Sequence, residues 1–173
     1  MKLFEITKGF AVAALALASF AVPAAVSAQQ SDTVLKAADT AKLLPASVFF
    51  RGQSATTQVR NSGGVKFADG FYVLATLVDT SGYSTELQST YQAYFIAEVP
   101  IKIGGQSLPA GVYGIGFLAG DKFVVQDVGA HTVLTASSSS DPGLKRPMPL
   151  QVVADPAGGF RLYALRSYVT FSR

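Results

Sequence analysis

The chain has 173 residues, no cysteine, one histidine, and 14 basic side chains against 11 acidic ones, for a formal net charge of +3. Without cysteine there are no disulfides, thiolate metal sites, cysteine nucleophiles or lipidated cysteine anchors, and a lone histidine leaves a zinc site short of ligands. No basic run is longer than Lys145-Arg146, so the concentrated positive surface that nucleic acid requires is lacking and no nucleic-acid partner is expected.

Residues 1–28 combine a basic start (Lys2, Lys8), an apolar run from Phe10 to Val26 and the small-residue ending Val26-Ser27-Ala28. This is the layout of a secretory signal peptide cleaved after Ala28. The competing reading is an uncleaved anchor, since the run approaches the roughly 18–20 residues that span a bilayer; Pro23 and the small ending favour removal. The remaining chain is long enough for one core. Export without disulfides suits a bacterial periplasm or extracellular space.

Residues 29–46 read as a helical segment: Ser31 or Asp32 is an N-cap, Val34, Leu35, Ala38 and Ala41 lie near one face, and Pro45 stops it. Residues 47–173 read as a single β-domain. Phe49 and Phe50 belong to a first strand, and Thr56–Arg60 and Val65–Phe67 flank Asn61-Ser62-Gly63-Gly64 as a hairpin. Phe71–Val78 is apolar at both parities, which predicts a central strand covered on both faces. Asp79-Thr80-Ser81-Gly82 is a turn, and Tyr83–Thr90 is a polar connection without an assigned form.

From Gln92 to Ile103 every odd position is apolar and the even ones are mainly polar, giving a strand with one buried and one wet face. Pro100 cannot donate to a ladder, so this strand bends there, lies on an edge or crosses between sheets. In Val112–Leu118, Tyr113, Ile115 and Phe117 share one side while Gly114 and Gly116 share the other. A bare face of this kind implies a close approach to the backbone: an aromatic laid across it, a bend that closes a small barrel, or a bound ligand. Lys122–Val128 is a further strand, and Gly129–Pro149 is the least regular region, holding His131 and Arg146. Leu150–Ala154 and Phe160–Tyr163 form a last hairpin before the strand Leu165–Phe171. The sum is an all-β fold, an antiparallel sandwich or small barrel of about eight to ten strands with one short N-terminal helix.

The segment Lys102–Tyr113, with Leu108-Pro109-Ala110-Gly111 between two strands and Tyr113 opening the second, resembles one found in uncharacterised secreted bacterial β-domain families. Residues 44–82, with RGQSATTQVRNSGGVKFADG, and residues 145–171 resemble the same kind of protein. The resemblance implies export and an all-β fold, and it brings no activity, ligand or site residue.

Catalytic patterns are thin. His131 follows Asp127 by four residues and precedes a serine run, but there is no Gly-x-Ser-x-Gly elbow and no Ser-x-x-Lys pair. Asp69, Asp79, Asp121, Asp141 and Asp155 each sit beside turn residues, where local hydrogen bonding accounts for them without calcium. Gly114-x-Gly116 lies inside a strand and is no dinucleotide fingerprint. An outer-membrane barrel needs strands of roughly 9–11 residues, longer than most here. The expectation is an exported non-catalytic domain without metal or cofactor, binding a small apolar ligand or another envelope protein. The alternatives are a small outer-membrane barrel and a hydrolase using His131. The binding surface expected is Tyr94 and Glu98, on the outward parity of their strand, with Gly114, Gly116, His131 and Arg146.

Overall fold

The computed structural model describes residues 31–173, so the signal-peptide reading of residues 1–28 lies outside the described residues. Alternation dictates the main element. In β5 (Ala93–Ala97) and β8 (Gly111–Leu118), Ala93, Phe95, Ala97 and Ile115 are buried in one core. The two strands pair antiparallel with Phe95 opposite Tyr113. Around them β1 (Thr33–Leu35), β3 (Gln53–Lys66), β4 (Tyr72–Val78), β9 (Lys122–Gln126) and β10 (Thr132–Ser137) complete a sheet in the order β1-β3-β4-β5-β8-β9-β10, with β2 (Ser47–Phe50) paired to β3.

A smaller sheet runs β12 (Gln151–Ala154), β13 (Phe160–Ala164), β14 (Ser167–Ser172), β6 (Ile101–Ile103), β7 (Gln106–Leu108), with β11 (Ser139–Ser140) on β14. Its Ile101, Ile103, Leu108, Val152, Leu162 and Val169 meet Val65, Phe67, Val73, Phe123 and Val125 of the larger sheet in a shared core. The protein is therefore an all-β sandwich of two antiparallel sheets, and not a closed barrel. Fourteen strands occur among the described residues, more than sequence suggested, because β6, β7 and β11 are only two or three residues long.

Pro100 marks a crossing. The apolar run from Gln92 to Ile103 is not one strand: β5 ends at Ala97 in the large sheet and β6 begins at Ile101 in the small one. The segment Leu108-Pro109-Ala110-Gly111 carries the chain back. There the Tyr113 phenol folds over the turn and donates to the Pro109 carbonyl at 3.0 Å. A Cβ on Gly111 would lie 2.8 Å from that phenol oxygen, so glycine at this position makes room for the tyrosine.

Two expectations are corrected, and one open segment gains a form. The helix expected over residues 29–46 is one turn, α1 (Ala37–Thr40), while Val34 and Leu35 lie in β1 opposite Val65 and Gly64. Pairing with a sheet edge outweighed a weak helical pattern. Asn61-Ser62-Gly63-Gly64 is no hairpin turn but an interior part of β3, where the register with β4 shifts between Gln58 and Ser62. The glycines there serve close packing at a bulge: a Cβ on Gly63 would stand 2.9 Å from the Val152 backbone nitrogen of the other sheet. Finally, the polar connection after Tyr83 contains α2 (Thr85–Thr90), whose N-cap Ser84 accepts the Leu87 N–H at 3.3 Å.

The outer face of the large sheet is also covered. Val48, Phe50, Ala55, Val78, Tyr83 and Tyr91 form a second buried cluster there. This is why β4 is apolar on both parities, with Val73 and Ala75 facing the shared core and Val78 the second cluster.

Candidate functional site

Tyr94 lies directly opposite Gly114, and Gly114 opposite Gln126, in a row across the outer face of β5, β8 and β9. The rings of Phe50 and Tyr91 stack over this row with centroids 3.7 Å apart and planes 13° from parallel. A Cβ on Gly114 would lie 2.6 Å from an atom of each ring, and one on Gly116 would collide with the Thr90 carbonyl at the end of α2. An aromatic overlay and a helix terminus thus fill the bare face that sequence left open to a ligand. Tyr94 is half-buried against this cluster rather than displayed among charges, and burial pushes its phenol up.

The remaining predicted residues lie apart. Glu98 is exposed beyond the end of β5 and accepts the Tyr72 N–H at 2.8 Å, capping the start of β4. Arg146 is exposed ahead of β12, its carbonyl accepting from the Gln151 amide at 3.3 Å. His131 closes the β9–β10 turn. Its Nδ1 stands 3.1 Å from Asp127 Oδ2, and Asp127 Oδ1 also accepts the N–H groups of Gly129 and His131. The His131 backbone N–H, with the imidazole and the Gly129 N–H, holds the Asp127 carboxyl below its ordinary range. With the His131 side chain 78% exposed, this is the geometry of a turn stabilised by aspartate. Tyr94, Gly114 and Gly116 thus share one face, whereas His131 lies in its own turn and Glu98 and Arg146 lie apart.

Sequence missed two hollows. The first is a cleft of about 470 Å³ at the seam between the sheets, with Val34, Leu35 and Ala38 on one side and Met148, Val152 and Val153 on the other. Its form follows from Gly63, which lets β12 press against β3 and leaves β1 and α1 standing above the seam. The polar group at its floor, the Ser62 hydroxyl, is already bonded to the buried Thr40 hydroxyl at 2.6 Å and to the Val59 carbonyl. The walls therefore present mainly carbon. The second hollow, about 560 Å³, lies between α2 and the β9–β10 turn and includes Arg51, Glu86, Leu87, Gln126 and Ala130.

No family model, curated protein or solved structure matches this chain. No group of three or more histidine, aspartate or glutamate side chains converges as a metal site among the described residues.

Proposed function

We propose that the domain is a non-catalytic binding module that takes a small apolar molecule into the cleft between β1–α1 and β12. With residues 1–28 read as a secretory signal, it works outside the cytoplasm. One observation carries the reading: the cleft's volume of about 470 Å³ and its carbon-lined walls match small-molecule sites, which run from roughly 300 to 1,000 Å³ and are mostly apolar. The Ser62 hydroxyl that lines it is already bonded to Thr40, so an apolar occupant does not strand that group.

The test combines native mass spectrometry of protein from its own host with titration of the apolar dye N-phenyl-1-naphthylamine. Ala38 is exposed and lines the cleft, so Ala38→Trp occludes the cleft without burying a new side chain in the core. The proposal expects saturable one-to-one dye binding that falls about tenfold in this variant with the melting temperature unchanged. Equal binding by wild type and variant places the dye elsewhere and overturns it.

A further inference from the structure

The second hollow has a different chemistry. Gln126 forms part of its floor and is only 6% exposed. Its Nε2 donates to the Ala130 carbonyl at 3.3 Å. That partner only accepts, so the amide cannot be flipped without setting oxygen against oxygen. Oε1 is thereby fixed as an acceptor, and it is buried with no donor among the described residues. It lies beneath the surface of the hollow, where its partial negative charge favours a cation above it without direct contact.

Two opposite charges flank it. Arg51 occupies the two-residue β2–β3 turn with φ +48°, a left-handed conformation that few non-glycine residues adopt and that often marks a functional position. It is fastened twice to the β9–β10 turn: its N–H donates to the Val128 carbonyl at 2.9 Å and its Nη1 to the Gly129 carbonyl at 2.7 Å. This leaves guanidinium N–H groups free, at a point fixed in advance. Glu86, in the first turn of α2, contributes a carboxylate to the same groove. Among the described residues Arg51 and Glu86 form no ion pair with each other or with any third group. Leu87 and Ala130, half-buried against the second cluster, add an apolar wall.

A lone anion leaves Glu86 unmatched, and a lone amine leaves Arg51 unmatched. We propose that this groove binds a small zwitterion of the amino-acid class, its ammonium on Glu86, its carboxylate on Arg51 and its apolar side chain against Leu87 and Ala130, above the buried Gln126 amide. The site is separate from the apolar cleft and does not depend on it.

The probes are L-norleucine, hexanoate (the same chain without the amine) and pentylamine (the same chain without the carboxylate), titrated by NMR into protein labelled at amides and methyls. Norleucine is expected to shift the Gln126 side-chain amide and the Leu87 methyls saturably below about 20 mM, with each truncated probe about tenfold weaker. Arg51→Asn retains a residue that tolerates positive φ; it and Glu86→Gln should each weaken norleucine about fivefold or more while leaving dye binding at the cleft unchanged. Absence of a saturable shift at Gln126, equal binding of all three probes, or shifts confined to Met148 and Val152 would each overturn the assignment. The last outcome would move the ligand to the apolar cleft.

Discussion

Gly114→Ala tests whether the bare face of β8 exists to seat the Phe50–Tyr91 stack. The backbone at Gly114 is ordinary strand, outside the positive-φ set, so alanine brings no torsional strain and should gain about 0.5–1 kcal/mol through the unfolded chain. Against this, the new methyl would lie 2.6 Å from Phe50 Cε2 and from Tyr91 Cδ2, and 2.8 Å from Phe50 Cζ. Both rings are at most 1% exposed, and Tyr91 is further braced by Tyr83 at 5.6 Å, so neither can swing into solvent. Overpacking of this kind costs about 1–3 kcal/mol. The net expectation is a loss of about 1–2 kcal/mol, or about 3–8 °C in melting temperature for a domain of this size.

Urea unfolding followed by circular dichroism measures this loss, and a double-mutant cycle assigns its cause. Phe50→Leu removes two of the three clashing atoms, so the cost of Gly114→Ala in that background should shrink by about 1 kcal/mol. A neutral or stabilising Gly114→Ala refutes the reasoning. So does a cost that adds to that of Phe50→Leu within about 0.3 kcal/mol.

Three further outcomes follow from the polar contacts. Thr40→Val leaves Ser62 without its 2.6 Å hydroxyl partner and should cost about 1–2 kcal/mol by chemical denaturation, with a less than additive cost alongside Ser62→Ala. The Arg161 guanidinium, 3.0 Å from Asp155 Oδ1, and then the Ala157 N–H hold the Asp155 carboxyl below its ordinary range. That contribution is present above about pH 4 and is lost as pH falls through the lower native value, so Arg161→Gln should flatten the acid limb of the urea-midpoint curve. Burial holds the Tyr91 phenol above its ordinary range, with Tyr83 and Tyr94 adding to it. Stability from that group is intact below about pH 10 and falls as the unfolded phenol ionises. Because the Tyr91 hydroxyl is buried without a partner among the described residues, Tyr91→Phe should be neutral or stabilising by up to about 1 kcal/mol at neutral pH and should make the alkaline fall shallower.

What was legible in the sequence is what alternation encodes. The parity of Phe95 and Ile115, the double-sided apolarity of β4 and the one-sided glycines of β8 each reported a face, and each face is occupied as its residues require. What was not legible depended on distant pairing. Thr33–Leu35 is too short to show a period, and only its match to Gly64–Lys66 makes it a strand. Gly63 and Gly64 resemble a turn until β12 is seen against them, and neither adopts the positive φ of a turn glycine. α2 has six residues, none of them fully buried, and its clearest local sign is the Ser84 cap. The apolar cleft joins Val34 and Ala38 to Met148 and Val152 from the far end of the chain, a conjunction no local pattern contains.

The two sheets treat their outer faces differently, and that difference locates the hollow beside α2. On the small sheet, Arg161 lies over the Tyr168 ring at 4.6 Å, and the Tyr163 hydroxyl donates to Asp141 Oδ2 at 3.0 Å. Arg166 Nη1 binds the carbonyls of Asp141, Pro142 and Leu144. These polar contacts fasten the long segment before β12 directly to the sheet. The large sheet instead carries an apolar outer face that water would penalise, and β2, α2 and Tyr91 cover it. Those covering pieces are too short to reach every edge. One hollow opens where α2 and the β2–β3 turn end above Gln126, whereas the apolar cleft lies at the seam between the sheets, where β1 and α1 face β12. In a chain without cysteine, no disulfide can tighten either seam. Gly114 and Gly116 admit the Phe50 and Tyr91 rings and the Thr90 carbonyl beneath the outer cover, and Gly63 admits the β12 backbone at the seam, each at a distance a Cβ would forbid. Glycines therefore set how closely the cover and β12 approach the large sheet.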